Sequence, residues 1–163
     1  MVSLKKVSKE QKDLLWNIHQ KYLYEMTKYY PDDMDENGNY HYGYFDAYFT
    51  DLARTAYLIY NDEVLVGFAM LNPYSYINHQ PDYVIAEFSI FPSYRKKHIA
   101  TNAAQMILNL HPGKWEIKYN EMNLGAKRLW EGITKQYNPI AHHISNEETV
   151  LEFSNRCCGQ AFL

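Results

Sequence analysis

The chain is poor in the features that would place it in a membrane, outside the cell or along a nucleic acid. No apolar run approaches the length needed to cross a bilayer. The first residues, MVSLKKVSKE, do not pass from a basic start into an apolar stretch, so a soluble, cytoplasmic protein without a secretory leader is expected. Cysteine is nearly absent. The two that occur, Cys157 and Cys158, are neighbours, and adjacent residues rarely close a disulfide within normal geometry, so both are read as reduced thiols. There is no surplus of cations either: 16 lysines and arginines stand against 19 aspartates and glutamates, a net charge of -3, which argues against the broad basic face of a nucleic-acid binder. Repeats and low-complexity segments are missing. A length of 163 residues suffices for one core and falls short of two, so a single domain over residues 1–163 is expected.

What is present is a succession of short amphipathic elements. Residues 2–7 form a strand candidate, and Ser8 with Gln11 three positions later makes a capping box that opens a helix with Leu15, Ile18, Tyr22, Met26 and Tyr29 on its buried stripe. Pro31 closes that helix, and PDDMDENGN follows as an acidic, mobile loop. Tyr44, Phe45, Tyr48, Phe49 and Leu52 recur at helical spacing and predict a second short helix. Residues 55–60 and 64–72 are β-rich runs joined by Asn61, Asp62 and Glu63 as a hairpin, and a loop leads to the central strand over 83–91. Later come a strand over 114–119, a helix with Ala126, Leu129, Trp130 and Ile133 on one face, and two strands near 140–145 and 149–153. The order β-α-α-β-β-β-α-β-α-β-β suits an α+β fold, with a central, mostly antiparallel twisted sheet of about seven strands and helices on both faces.

The stretch YVIAEFSIFPSYRKKHIATNAAQMILN, residues 83–109, organises the rest. It opens with a β-favouring run that Pro92 ends, and from Ile99 the apolar residues Ile99, Ala103, Met106, Ile107 and Leu110 fall three or four apart, so strand passes through a turn into helix. In the turn, Arg95, Lys96, Lys97 and His98 crowd against a helix start that is already electropositive, and a bound anion would relieve that repulsion. The junction is therefore read as a phosphate cradle. Strand alternation would put Tyr83, Ile85, Glu87 and Ser89 on one face and Val84, Ala86, Phe88 and Ile90 on the other. A carboxylate is costly in mid-strand, and burial would raise the pKa of Glu87 towards that of a working base. The competing reading is a structural pairing with an internal arginine or a tyrosine hydroxyl.

At these residues the chain resembles the GNAT superfamily of acetyl-CoA-dependent N-acetyltransferases. Its cofactor loop runs Arg or Gln, x, x, Gly, x, Gly or Ala, here Arg95, Lys96, Lys97, His98, Ile99, Ala100, with His98 in place of the first glycine. The flanks agree, with EFSIFPSYR before the loop and KWEIKY leading to Asn123, Leu124, Gly125 and Ala126 after it, so the resemblance spans residues 55–135. It implies a GNAT-like domain that transfers an acetyl group from acetyl-CoA, its cosubstrate, to a primary amine on a small molecule or peptide. On this resemblance the backbone of Ser89, Ile90 and Phe91 would pair with the pantetheine arm. Arg95, Lys96, Lys97, His98, Ile99, Ala100 and Thr101 would hold the phosphates. Glu87 would serve as base, directly or through a water, and Asn123 would contact the cofactor unless it is only an N-cap. Trp130 stands where many members carry a tyrosine that protonates the leaving thiolate, and Tyr119 is the available substitute. Two other readings remain, a CoA-binding sensor or regulatory module without turnover, and a phosphate-binding α/β protein of another superfamily.

Other conspicuous residues receive the plainer reading. The 16 tyrosines are expected at the rim and in the core, with a few lining an acceptor site. His142 and His143 are adjacent on a strand and point to opposite faces, so no metal is expected. The acids Asp32, Asp33, Asp35 and Glu36 read as solvated, with a lean towards cationic acceptors if they wall the acceptor site. Membrane and nucleic-acid partners are not expected, and the oligomeric state is left open, a dimer included.

Overall fold

The computed structural model describes residues 1–156; the cysteine pair lies outside the described residues. Seven strands form one sheet in the order β1-β2-β3-β4-β5-β7-β6: β1 (Val2–Lys6), β2 (Thr55–Asn61), β3 (Val64–Asn72), β4 (Tyr83–Ile90), β5 (Lys114–Asn120), β6 (Ile140–His143) and β7 (Glu148–Ser154). All neighbours pair antiparallel except β4 and β5, which run parallel because helix α2 (Ile99–Leu110) carries the chain back across the sheet between them. Helix α1 (Lys12–Met26) covers one face of the sheet. There Leu15 and Ile18 meet Leu58, Phe68 and Met70. Helices α2 and α3 (Leu124–Thr134) cover the other, where Ala104, Ile107, Trp130 and Ile133 pack on Ala69, Leu71, Trp115 and Ile117. This is the α+β architecture expected, with helices on both faces.

Local chemistry explains most boundaries. The Ser8 N–H donates to Gln11 Oε1 at 3.0 Å, so the capping box forms, on a 3₁₀ turn (Lys9–Gln11) that leads into α1. Asp62 and Glu63 both take positive φ, 47° and 69°, which suits a tight hairpin turn that follows the twist of β2 and β3. Helix α1 ends at Met26, earlier than Pro31 alone suggests. A proline ring clashes with the carbonyl four residues before it, here that of Thr27, so the helix has to be over by that point.

Two expectations are corrected. The second helix is a single 3₁₀ turn (Asp46–Phe49): Phe45 and Tyr48 are buried, but Leu52 is fully exposed, and so short an apolar stripe does not stabilise a longer helix. The face assignment in β4 also fails. Met70 lies opposite Glu87 while Leu71 lies opposite Ile85, so Ala86 is an extra residue, a β-bulge, and the alternation reverses across it. Ile85 and Phe88 pack towards α2 and α3, whereas Glu87 shares the face of Met70, beneath α1.

Candidate active site

The bulge coincides with a parting of two strands. β4 and β5 are in register only from Tyr83 opposite Trp115 to Ile85 opposite Ile117, and beyond that point residues 86–89 have no strand partner on the β5 side. Bulges bend and twist the strand that carries them, which is how this one opens the sheet. The opening is a cavity of about 500 Å³ that reaches through the sheet from α1 to α3. Tyr22, Met26, Tyr30 and Tyr76 wall its α1 end, Asn123, Ala126 and Trp130 its α3 end, and Glu87, Phe88, Lys118 and Tyr119 lie between.

Glu87 is strongly perturbed by these surroundings. Burial pushes its carboxyl pKa up to about 7, against the opposing pull of the nearby Tyr22 hydroxyl, Lys118 and the Tyr42 hydroxyl. The tyrosines respond in turn: burial, and then the Glu87 charge, push the hydroxyls of Tyr22, Tyr42 and Tyr76 well above their usual range, so they remain neutral donors. Lys118 pairs with Glu148 at 2.9 Å and lies 4.7 Å from the ring centre of Tyr76. Apart from Glu87, the residues of this ring were not singled out by sequence. For the tyrosines the only advance signal was their abundance in the chain, and for Lys118 there was none, because the contacts join α1, two loops and two strands.

The residues expected to hold a cofactor fall into three groups. At the end of β4, the Ile90 carbonyl accepts from Arg95 Nε at 2.7 Å and the Phe91 N–H donates to the Val66 carbonyl at 2.8 Å. Two of the backbone groups expected to face an extended ligand are therefore engaged within the chain, and the open edge is that of residues 86–89, Ser89 included. Arg95 also pairs with Glu25 through both guanidinium NH₂ groups, at 2.8 and 3.1 Å, so its side chain ties the turn to β4 and α1. Lys97 donates to the Ser93 carbonyl at 3.2 Å, while Lys96 is exposed.

The second group is the turn itself. Lys96 and His98 both take the left-handed backbone conformation, each at φ 59°. Where the family pattern has a glycine, His98 adopts the backbone that favours glycine. The first bond inside α2 runs from the Asn102 N–H to the His98 carbonyl at 3.0 Å, so the N–H groups of Ile99, Ala100 and Thr101 have no partner within the helix. Ile99 packs against Ile90 and Val66, which fixes this helix start beside the end of β4.

The third group lies on the α3 side. Asn123 caps α3, its Oδ1 accepting from the Ala126 N–H at 3.1 Å, and its side chain also lines the cavity. Trp130 is buried edge-on against Phe88, ring centres 5.1 Å apart. The Tyr119 hydroxyl donates to Glu131 Oε1 at 2.9 Å, and burial together with that carboxylate raises its pKa far above the usual value. The structure thus weakens Tyr119 as an acid. His142 approaches Glu152 while His143 bonds to Thr149, and among the described residues no group of three or more histidines, cysteines or acids could hold a metal ion. No helix among them is long and apolar enough to cross a membrane.

The sequence profile of the acetyltransferase (GNAT) family matches residues 14–143. No curated protein matches the chain by sequence. Among solved structures, the chain is similar to a GNAT-family acetyltransferase from Streptococcus agalactiae, with 12% identity, 96% of each chain covered and a TM-score of 0.69. It is also similar to an aminoglycoside acetyltransferase in complex with coenzyme A (11% identity, 95% of each chain, TM-score 0.68). A third is the Vibrio cholerae spermidine N-acetyltransferase in complex with CoA and spermine (16% identity, 94% of this chain and 95% of that one, TM-score 0.62). At such identities these likenesses carry the fold.

Proposed function

The chain belongs to the acetyltransferase (GNAT) family, and from that premise we propose that it transfers an acetyl group from acetyl-CoA to a primary amine in the cleft between β4 and β5. The observation that carries the reading is Glu87, a carboxyl with its pKa raised to about 7, lining the cavity where the sheet parts. An amine near neutral pH is mostly ammonium and must lose a proton before it can attack. A base is most effective when its pKa lies near the working pH.

The residues present fit the cosubstrate. The left-handed turn at Lys96 and His98, followed by the free N–H groups of Ile99, Ala100 and Thr101, has the makings of an anion site with Lys96 as a mobile counter-charge. The unpaired edge of residues 86–89 suits an extended arm carrying amides. Acetyl-CoA supplies the acyl group already activated as a thioester. Glu87 accepts the amine proton, Tyr22 and Tyr42 orient its carboxylate, and the tyrosine walls exclude water from the cleft. With Tyr119 tied to Glu131, no side-chain acid is assigned to the leaving group. A thiolate whose conjugate acid has a pKa near about 8.5 departs without one and takes its proton from water.

That same tie favours a second reading, a CoA-binding module without turnover. Release of free thiol from acetyl-CoA over a panel of amines separates the two. Amine-dependent release supports transfer. CoA binding, seen as a rise in melting temperature, without release over the panel supports the binding module.

A further inference from the structure

On the α1 face of the sheet two carboxyl groups lie next to each other: Glu116 on β5, paired on its other side with Val84 of β4, and Glu152 on β7 are register partners. Glu116 is fully buried. A charge so placed is costly unless it is thoroughly hydrogen-bonded, and its partners all come from the loop between β3 and β4. The Ser75 hydroxyl donates to Glu116 Oε1 at 2.6 Å and the Tyr76 N–H donates to Oε2 at 2.8 Å. Ser75 Oγ accepts in turn from the N–H groups of Ile77 and His79, at 3.1 and 2.9 Å. The loop is thus wound around one buried carboxyl group, with Ser75 linking it to the amides of Ile77 and His79. Glu152, beside Glu116 in the sheet, bonds to the His79 ring and holds the far end of the same loop.

The loop carries Tyr76 into the cavity, where its ring faces the Lys118 ammonium and its hydroxyl feels the Glu87 charge. A loop with no strand or helix of its own is ordinarily mobile. This one is tied to β5 and β7 by three hydrogen bonds and braced internally by two more, and Glu116, at the centre of the anchor, sits two positions before Lys118 on the same strand face.

We propose that Glu116 and Ser75 are positioning residues that hold Tyr76 as a fixed wall of the amine-acceptor side of the cleft, so that this loop sets which acceptors are admitted. The proposal rests on the acetyltransferase reading above. It adds a specificity-determining residue, Tyr76, and the two residues that fix it, none of which touches the cofactor turn. Glu116→Gln places an amide NH₂ against either the Ser75 hydroxyl or the Tyr76 N–H, and such a buried change risks misfolding. Ser75→Ala is therefore the working variant, with Ser75→Thr as its conservative rescue.

Two measurements decide the matter. Hydrogen exchange is read at the Tyr76 amide, whose acceptor Glu116 remains in Ser75→Ala. Kinetics are read with acetyl-CoA and whichever of spermidine, tyramine, lysine or a glycine-led tripeptide turns over fastest. Loss of the Ser75 link should speed Tyr76 exchange about tenfold, the equivalent of one buried hydrogen bond, with β5 amides unchanged. It should also raise the acceptor KM by about tenfold while the KM for acetyl-CoA stays put, and Ser75→Thr should restore both. Unchanged Tyr76 exchange in Ser75→Ala overturns the anchoring. A loosened loop with an unchanged acceptor KM overturns Tyr76 as a wall. A wild-type protein that transfers acetyl to none of the four amines counts instead against the transferase reading, and the exchange measurement then decides the anchoring by itself.

Discussion

His98→Gly should make the protein more stable, even though it removes a side chain. His98 sits at φ 59° and ψ 8°, in the left-handed region, at the start of α2. For a residue with a β-carbon that conformation costs about 1–2 kcal/mol. Glycine adopts it freely but loses more conformational freedom on folding, by about 0.5–1 kcal/mol, so the net gain lies between about 0 and 1.5 kcal/mol, centred on about 0.75 kcal/mol. For a chain of this length the central value corresponds to a rise in Tm of roughly 1.5–3 °C. The imidazole makes no hydrogen bond among the described residues and is exposed, so nothing structural should be lost with it. The assay is thermal unfolding with and without CoA. His98→Val serves as the opposite control, since a β-branched residue is least tolerant of positive φ. CoA affinity should be unchanged or tighter, because the backbone of the turn is preserved and relaxed. A lower Tm for the glycine variant would refute the strain argument. CoA binding that weakens in the variant, by an amount that grows towards acid pH, would show that the imidazolium is itself a phosphate ligand.

Further predictions follow from groups held in unfavourable surroundings. His19 is fully buried with neither ring nitrogen hydrogen-bonded, and burial lowers its pKa from the ordinary 6.5 to about 4. The unfolded chain therefore binds the proton first. The stabilisation is complete above pH 6.5 and is lost as pH falls towards 4, by about 3 kcal/mol, so His19→Phe should flatten the acid side of the Tm profile. A methyl group at Gly67 would lie 2.2 Å from the Ser89 carbonyl and 2.9 Å from Ile90 Cδ1; Gly67→Ala should destabilise by about 1–3 kcal/mol and disturb the end of β4. Lys96→Ala should weaken CoA binding in a salt-sensitive way at unchanged Tm, while Arg95→Ala, which frees the Ile90 carbonyl and Glu25, should lower both.

The sequence disclosed whatever depends on near neighbours. The change from a strand pattern to helical spacing between Phe91 and Ile99 located the turn that leads into α2. Ser8 and Gln11 marked the first cap, and Trp115, Ile117 and Tyr119 lie on one packed face as their alternation predicts. What it hid depends on partners far along the chain. The bulge at Ala86 has no compositional mark, since an extra residue in a strand is defined by the register of β3, and so the face of Glu87 was assigned with the wrong companions. Tyr22, Tyr42 and Tyr76 converge on Glu87 from α1 and two loops, and Glu116 meets Ser75 across 41 positions. The turn glycine was expected for its backbone freedom, and the structure keeps that backbone with a histidine in it.

The most direct test of the account is the pH dependence of kcat/KM for wild type and Glu87→Gln, with an amine shown to be an acceptor. The active form of the base is the carboxylate, so the wild-type rate should climb as pH rises through about 7. The glutamine variant should lose that rise and fall by about 10²–10⁴ in turnover, the deficit shrinking towards the amine's own pKa, with CoA affinity unaltered. Its stability supplies the control. A carboxyl whose pKa is raised on folding contributes stability below its ordinary pKa and loses it as pH climbs through 7, so at pH 8 the neutral variant should melt no lower than wild type. A carboxylate that served only as structure would instead leave its surroundings uncompensated on replacement, at a cost of about 3–5 kcal/mol. A stable variant with a wild-type rate and the same pH profile would contradict the account, and would remove Glu87 from the chemistry altogether.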